Sequence, residues 1–245
     1  MQSSNPTLNS RVFGQAKVAG GQIMTLQGTV NKSLILFAVL LTTAFWTWSK
    51  AFDPASQGLM GIIFMVGIGG GLVLAIATSF KPNWSPVTAP LYAACEGLAL
   101  GFISALMEVR YPGVVIQAVG LTFGVMLAML LGYKAGFLQA TPGLRKGLMI
   151  GMFGLLIFYA IVWIAGFFGV HPPEFISGSG PLGIAFSLFV IGLASLSLVL
   201  DFDLIERGAQ EGLAKYMEWY GGFALMVTLV WLYVEILRLL GKSRN

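Results

Sequence analysis

Apolar residues along the chain gather into seven long runs separated by short polar breaks. The runs predict helices from about Ser33 to Ser49, Leu59 to Phe80, Val87 to Met107, Val114 to Tyr133, Gly147 to Gly169, Pro181 to near Ile205, and Trp219 to Leu240. Each is close to the roughly 20 residues that carry an α-helix across a hydrocarbon core. The breaks hold helix-ending residues: Asp53-Pro54, Lys81-Pro82, Tyr111-Pro112-Gly113, Thr141-Pro142-Gly143 and His171-Pro172-Pro173. Aromatic residues cluster near the ends of the runs, at Trp46, Trp48, Trp84, Tyr111, Tyr133, Trp219 and Tyr220, as expected of interfacial belts. Trp231 and Tyr233 fall deeper and are expected in the core.

The pattern predicts an all-α integral membrane protein with seven transmembrane helices. Residues 1–30 hold no continuous apolar run and read as a flexible cytoplasmic tail. They also lack the apolar core of a secretory signal. Residues 31–241 form the membrane domain, and 242–245 a short basic tail. Composition strengthens the reading: 57% of the 245 residues are hydrophobic and only 10% are charged, against roughly 25% charged in soluble domains.

Lysine and arginine set the expected orientation. With the amino terminus inside, nine fall on the inner side (Arg11, Lys17, Lys32, Lys81, Lys134, Arg145, Lys146, Arg207, Lys215) and five on the outer (Lys50, Arg110, Arg238, Lys242, Arg244). This predicts a cytoplasmic amino terminus and a carboxyl terminus on the outer side. The pairs Gly67/Gly71, Gly97/Gly101, Gly120/Gly124 and Gly147/Gly151 have the spacing that lets helix backbones approach closely. All four are expected to pack helices inside the bundle.

Much chemistry is excluded. Cys95 is the single cysteine and His171 the single histidine, so neither an internal disulfide nor a histidine-built metal site is expected. No nucleophile, base and orienting group stand in a recognisable arrangement, so the chain reads as a non-enzyme that needs no cofactor. Its basic residues are scattered, which argues against nucleic acid as a partner.

Four carboxylates lie inside or at the edge of the apolar runs: Glu96, Asp201, Asp203 and Glu235. An ionised acid in hydrocarbon costs several kcal/mol unless it is paired, hydrogen-bonded or neutralised. Such residues face a packed interior or a wet cavity, and they mark paths for ions or protons. Glu96 lies near the middle of the third run, with Gly97 leaving room for a helix or for water beside it. It is either a neutral acid tying helices together or a group on an ion pathway. Asp201 and Asp203 close the sixth run. Two residues apart on a helix is a rotation of roughly 200°, so they face different directions. They are an ordinary interfacial end, or they handle ions or protons, with both as candidate metal ligands. Glu235 either pairs with Arg238 on the same helical face or lies on the pathway. Glu218 opens the last run on the side where the sixth ends, within reach of Asp201 or Asp203; Glu235 is about 25 Å further along the axis.

Four segments resemble a bacterial branch of the Bax inhibitor-1 family: Met24-Thr25-Leu26-Gln27-Gly28-Thr29-Val30-Asn31-Lys32, Glu96-Gly97-Leu98-Ala99-Leu100-Gly101, Asp201-Phe202-Asp203-Leu204-Ile205-Glu206-Arg207-Gly208, and Tyr233-Val234-Glu235-Ile236-Leu237-Arg238-Leu239-Leu240. The resemblance covers roughly Met24 to Gly241. It implies seven helices with the last enclosed by the other six. It also implies a calcium leak controlled by pH through two aspartates on the last two helices. The first of these matches Asp201, with Gly208 in register. At the second, the closing Leu-Arg-Leu-Leu places Thr228 instead of an aspartate. A pH sensor built from Asp201 with Asp203 or Glu218 is the expected replacement, with Glu96, Asp201 and Glu235 as pathway acids. Calcium enters as the permeant ion. Other members of the family are linked to quality-control proteases, which makes a membrane protease a candidate partner beside the lipid bilayer. A proton-coupled transporter using Glu96 and Asp201, and a non-conducting regulator, are the rival readings.

Overall fold

A computed structural model describes residues 22–169 and 178–244. Most of the expected tail, and the His171-Pro172-Pro173 break, lie outside the described residues. Seven helices follow one another: α1 (Leu26–Ala51), α2 (Gln57–Phe80), α3 (Ser85–Arg110), α4 (Val114–Lys134), α5 (Pro142–Phe167), α6 (Pro181–Gln210) and α7 (Met217–Ser243). All seven are long and apolar enough to cross a membrane, and no strand is formed among the described residues.

Several boundaries differ from the sequence expectation by a few residues, and three of them have a clear local reason. The first helix begins at Leu26 rather than Ser33, because the Thr25 hydroxyl accepts the Gly28 N–H at 2.9 Å and caps the helix start. Residues 26–30 therefore belong to α1 and not to a tail. The sixth helix runs past Ile205 to Gln210. It closes at Gly212, whose φ of 66° lets the Leu213 N–H return to the Gly208 carbonyl at 3.1 Å. Asp201 consequently sits well inside α6 instead of at its end. The seventh helix includes Lys242, which was expected in a basic tail. Its side chain is buried and donates to the Gly183 carbonyl at 3.1 Å and to Ser187 Oγ at 3.0 Å.

The last helix is central. It packs against α1, α3, α4 and α6, and Tyr220, Phe223, Leu232 and Leu237 on it are fully buried. Four of the six neighbours thus make the enclosure, while α2 packs chiefly on α3, and α5 on α6. Tyr220 is a correction to the interfacial belt: it lies in the core, with its ring 6.2 Å from that of Phe223.

Close backbone packing builds the wall around α7. A Cβ on Gly97 would stand 1.9 Å from Thr43 Oγ1 and 2.3 Å from the Leu40 carbonyl oxygen; one on Gly101 would stand 2.3 Å from the Ala44 carbonyl oxygen. These two glycines let α3 lie directly on α1. Gly67 does the same for α2 on α3, against the Cys95 carbonyl and the Ala99 N–H, each 2.9 Å from its virtual Cβ. Gly120, Gly124 and Gly147 instead have open space where a Cβ would stand, and Gly151 touches only the Leu193 side chain. Two of the four glycine pairs therefore seat helices on one another as expected, and Gly120/Gly124 faces no protein neighbour.

This contrast yields a test by thermal unfolding in detergent. Gly101→Ala forces α1 and α3 apart and should destabilise by about 1–3 kcal/mol, the usual cost of overpacking a close contact. Gly124→Ala should be neutral or slightly stabilising, since alanine is the better helix former. Equal effects at the two positions would contradict the packing described.

Candidate functional site: a buried aspartate between the last two helices

The two aspartates of α6 part company, as the helical rotation between them requires. Asp201 turns toward α7 and is 1% exposed. Thr228, on the facing side of α7, donates its hydroxyl to Asp201 Oδ2 at 2.6 Å. The same hydroxyl lies 3.3 Å from the Ala224 carbonyl one turn back. By helix rise, Asp201 is about 14 Å from the end of α6 and Thr228 about 17 Å from the start of α7, so the contact lies near half the depth of the bundle. A hydroxyl on an ionised carboxylate makes a short, charge-assisted bond.

Asp203 faces the other way. Its Oδ2 pairs with Arg145 from the start of α5, and its Oδ1 takes Arg207 Nε at 3.0 Å, one turn along α6. With both oxygens engaged by guanidinium groups, it does not join Asp201 in a cation site. Among the described residues no group of three or more His, Cys, Asp or Glu is placed to hold a metal ion.

Glu218 is 1% exposed at the start of α7. Its Oε1 accepts the Thr25 N–H at 3.0 Å, the Thr25 hydroxyl at 2.9 Å and the Lys215 ammonium at 2.8 Å. Asp203 and Glu218, the carboxylates expected to partner Asp201, bind Arg145 and Arg207 in one case and Thr25 and Lys215 in the other, and the threonine standing where the resemblance implies a second aspartate donates to Asp201.

Glu96 is half-buried on α3, over Gly71 of α2 and beside Tyr92 one turn earlier. The Tyr92 ring lies 5.0 Å from Phe223 of α7, which links Glu96 to the central helix through one side chain. The space that Gly97 was expected to leave for a helix or for water is occupied by α1. Glu235 pairs with Arg238 at 2.9 Å, and Arg238 also reaches the Tyr159 hydroxyl at 3.3 Å. That cluster stands about 10 Å further along α7 than Thr228.

Several side chains that hold this arrangement together were not singled out as functional. Glu108, at the end of α3, accepts the Gly113 N–H at 2.6 Å and the Val115 N–H at 3.2 Å, and so caps α4. Arg145 counted only toward orientation. A cation in the first turn of a helix opposes the helix dipole, which was a legible hint of a partner elsewhere. Thr25 and Glu218 lie 193 residues apart, and nothing local links them.

A cleft opens beside the site because α1 and α4 make no substantial contact. Its apolar chamber, of about 390 Å³, has Ser104 and Tyr233 among its lining residues, joined by a 2.6 Å hydrogen bond. A second chamber of about 910 Å³ reaches Asp203, Glu206, Arg207 and Lys134 at the far end. Phe37 and Phe123 border both, with ring centroids 6.4 Å apart.

Seven apolar helices, the last of them buried among its neighbours, define a multi-pass helical membrane protein. The chain belongs to the Bax inhibitor 1 like family, whose model matches residues 5–245. No curated protein and no solved structure gave a match.

The Asp201–Thr228 contact can be weighed by substitution. Thr228→Val keeps shape and removes the donor, and should cost about 1–3 kcal/mol of stability at neutral pH, as loss of a bond to a buried charge does. Thr228→Ser should retain most of it. Thermal unfolding of both variants in detergent checks this; a valine variant as stable as the serine one would remove the bond from the account.

Proposed function

We propose that this protein is a pH-responsive calcium leak of the bacterial inner membrane, with its gate at the contact of Asp201 and Thr228 between α6 and α7. The observation that carries the reading is a carboxylate buried inside the bundle and bound across the α6–α7 contact by the Thr228 hydroxyl. Family membership and the position of Thr228 at the second aspartate of the resembled pattern add support. Calcium is a hard cation that takes oxygen ligands, and a carboxylate at mid-membrane supplies both an oxygen and the negative field that a divalent ion needs there. The excess of basic residues on the amino-terminal side favours a cytoplasmic amino terminus. The reading includes no catalytic step and no cofactor.

The gate works through one proton. Ionised Asp201 accepts a charge-assisted bond from Thr228 and holds α6 to α7. Protonation leaves a neutral pair with a bond roughly half as strong. The hold therefore weakens as pH falls through the titration of Asp201, and flux rises on the acid side. Threonine does not titrate in this range, so the Asp201–Thr228 contact itself contributes one proton to the response. Glu96, packed over Gly71, and Glu235, paired with Arg238, stand outside this gate.

Calcium flux into proteoliposomes of the pure protein, measured across a pH series, tests the proposal. The wild type should show a one-proton pH response. Asp201→Asn, fixed in the neutral form, should flatten it. Thr228→Asp should replace it with the two-step response of a carboxylate pair. Flux that saturates with one solute and follows the proton gradient would instead indicate a coupled transporter, and absence of flux at every pH would indicate a non-conducting regulator.

A further inference from the structure

We propose that residues Gln22–Thr25 are a strap that closes the route from the amino-terminal face of the bundle to Asp201, and that Glu218 is the latch that holds it. The consequence for flux rests on the leak reading above; the closure itself does not.

The strap is tied down by its backbone. The Met24 N–H donates to the Leu213 carbonyl at 2.6 Å and the Lys215 N–H donates to the Gln22 carbonyl at 3.0 Å, so Ile23 pairs antiparallel with Ala214 in the α6–α7 turn. Its one buried side chain points inward. Met24 is 2% exposed, and its sulfur stands 3.2 Å from where a Cβ on Gly208 would lie. Met24 also lines, with Asp201, Leu204, Met217, Tyr220 and Ala224, a void of about 10 Å³. That is close to the least space that admits one water. The space next to the proposed gate is thus bounded on one side by a strap residue.

The latch is built with more polarity than packing needs. A buried acid is costly unless donors converge on it. On Glu218 Oε1 three donors converge, and two of them, the N–H and the hydroxyl of Thr25, come from the strap. The start of α1 is shaped around this oxygen: a Cβ on Gly28 would stand 1.9 Å from it. An apolar side chain at 218 would fill the same volume but would leave the Thr25 donors unmet. A carboxylate there makes closure of the strap depend on one group.

The experiment uses the full chain in liposomes, with Cys95→Ser and a reporter cysteine introduced by Ala224→Cys, a position on the void that is 1% exposed. A small, membrane-impermeant methanethiosulfonate probes it from the amino-terminal face. Labelling should be slow in this background. Glu218→Ala should speed it by about tenfold or more, the population shift expected when a bond to a buried charge is lost. Glu218→Gln, which keeps an acceptor for Thr25, should restore much of the slow rate. Met24→Ala opens the strap without touching the latch and should also speed labelling, which keeps the test available if the alanine variant at 218 fails to fold. A labelling rate unchanged by the variants that fold would overturn the proposal. Calcium flux read on the same vesicles separates the two ideas: faster labelling with no flux keeps the strap and removes the leak, whereas raised flux with unchanged labelling removes the strap.

Discussion

Everything in this bundle follows from the enclosure of α7. A helix surrounded on four sides in a medium without water must have its polar groups met inside the protein. Side chains on it meet much of that demand: Thr228 with Asp201, Glu218 Oε1 with Thr25 and Lys215, Glu235 Oε1 with Arg238, Tyr233 with Ser104, and Lys242 with Gly183 and Ser187. These pairs reach α1, α3 and α6 or close on α7 itself. The polar contacts therefore fix how the surrounding helices sit about the central one, while the apolar residues between them supply the bulk of the burial.

Such an enclosure needs a thin wall. Gly97 and Gly101 bring the backbones of α3 and α1 into contact, and Gly67 does so for α2 and α3. On the opposite flank the wall is incomplete, because α1 and α4 stand apart and leave the two-chambered cleft. The bundle is thus tight where glycines allow it and open on one side. α7 bridges the two flanks, since it packs on both α1 and α4, whereas α6 packs more on α4 than on α1.

The seven helices were legible because apolar runs of membrane length have few alternatives; the central place of the last was implied only by the family resemblance. The separation of Asp201 from Asp203 followed from helical rotation alone. The substitution of threonine at the resembled second aspartate was visible too, but its meaning was not. A threonine at 228 reads as one more helix-packing residue until α6 is placed against it. The donors on the expected carboxylate partners were hidden for a related reason: proximity along a helix end put Glu218 and Asp203 near Asp201, but the long-range contacts of Asp203 with Arg145 and of Glu218 with Thr25 leave no local trace. The glycine spacing was equally blind to context, since Gly124 and Gly101 look alike in sequence and meet open space in one case and a backbone in the other.

The proposed gate requires Asp201 to take up a proton between α6 and α7 under the hold of Thr228. Infrared difference spectroscopy of the protein in lipid, recorded between neutral and acid pH, observes that group directly. The account predicts one protonated-carboxyl band from the bundle interior that vanishes in Asp201→Asn and shifts in frequency when Thr228 is replaced by valine. A band that survives Asp201→Asn, or one indifferent to Thr228→Val, would contradict it.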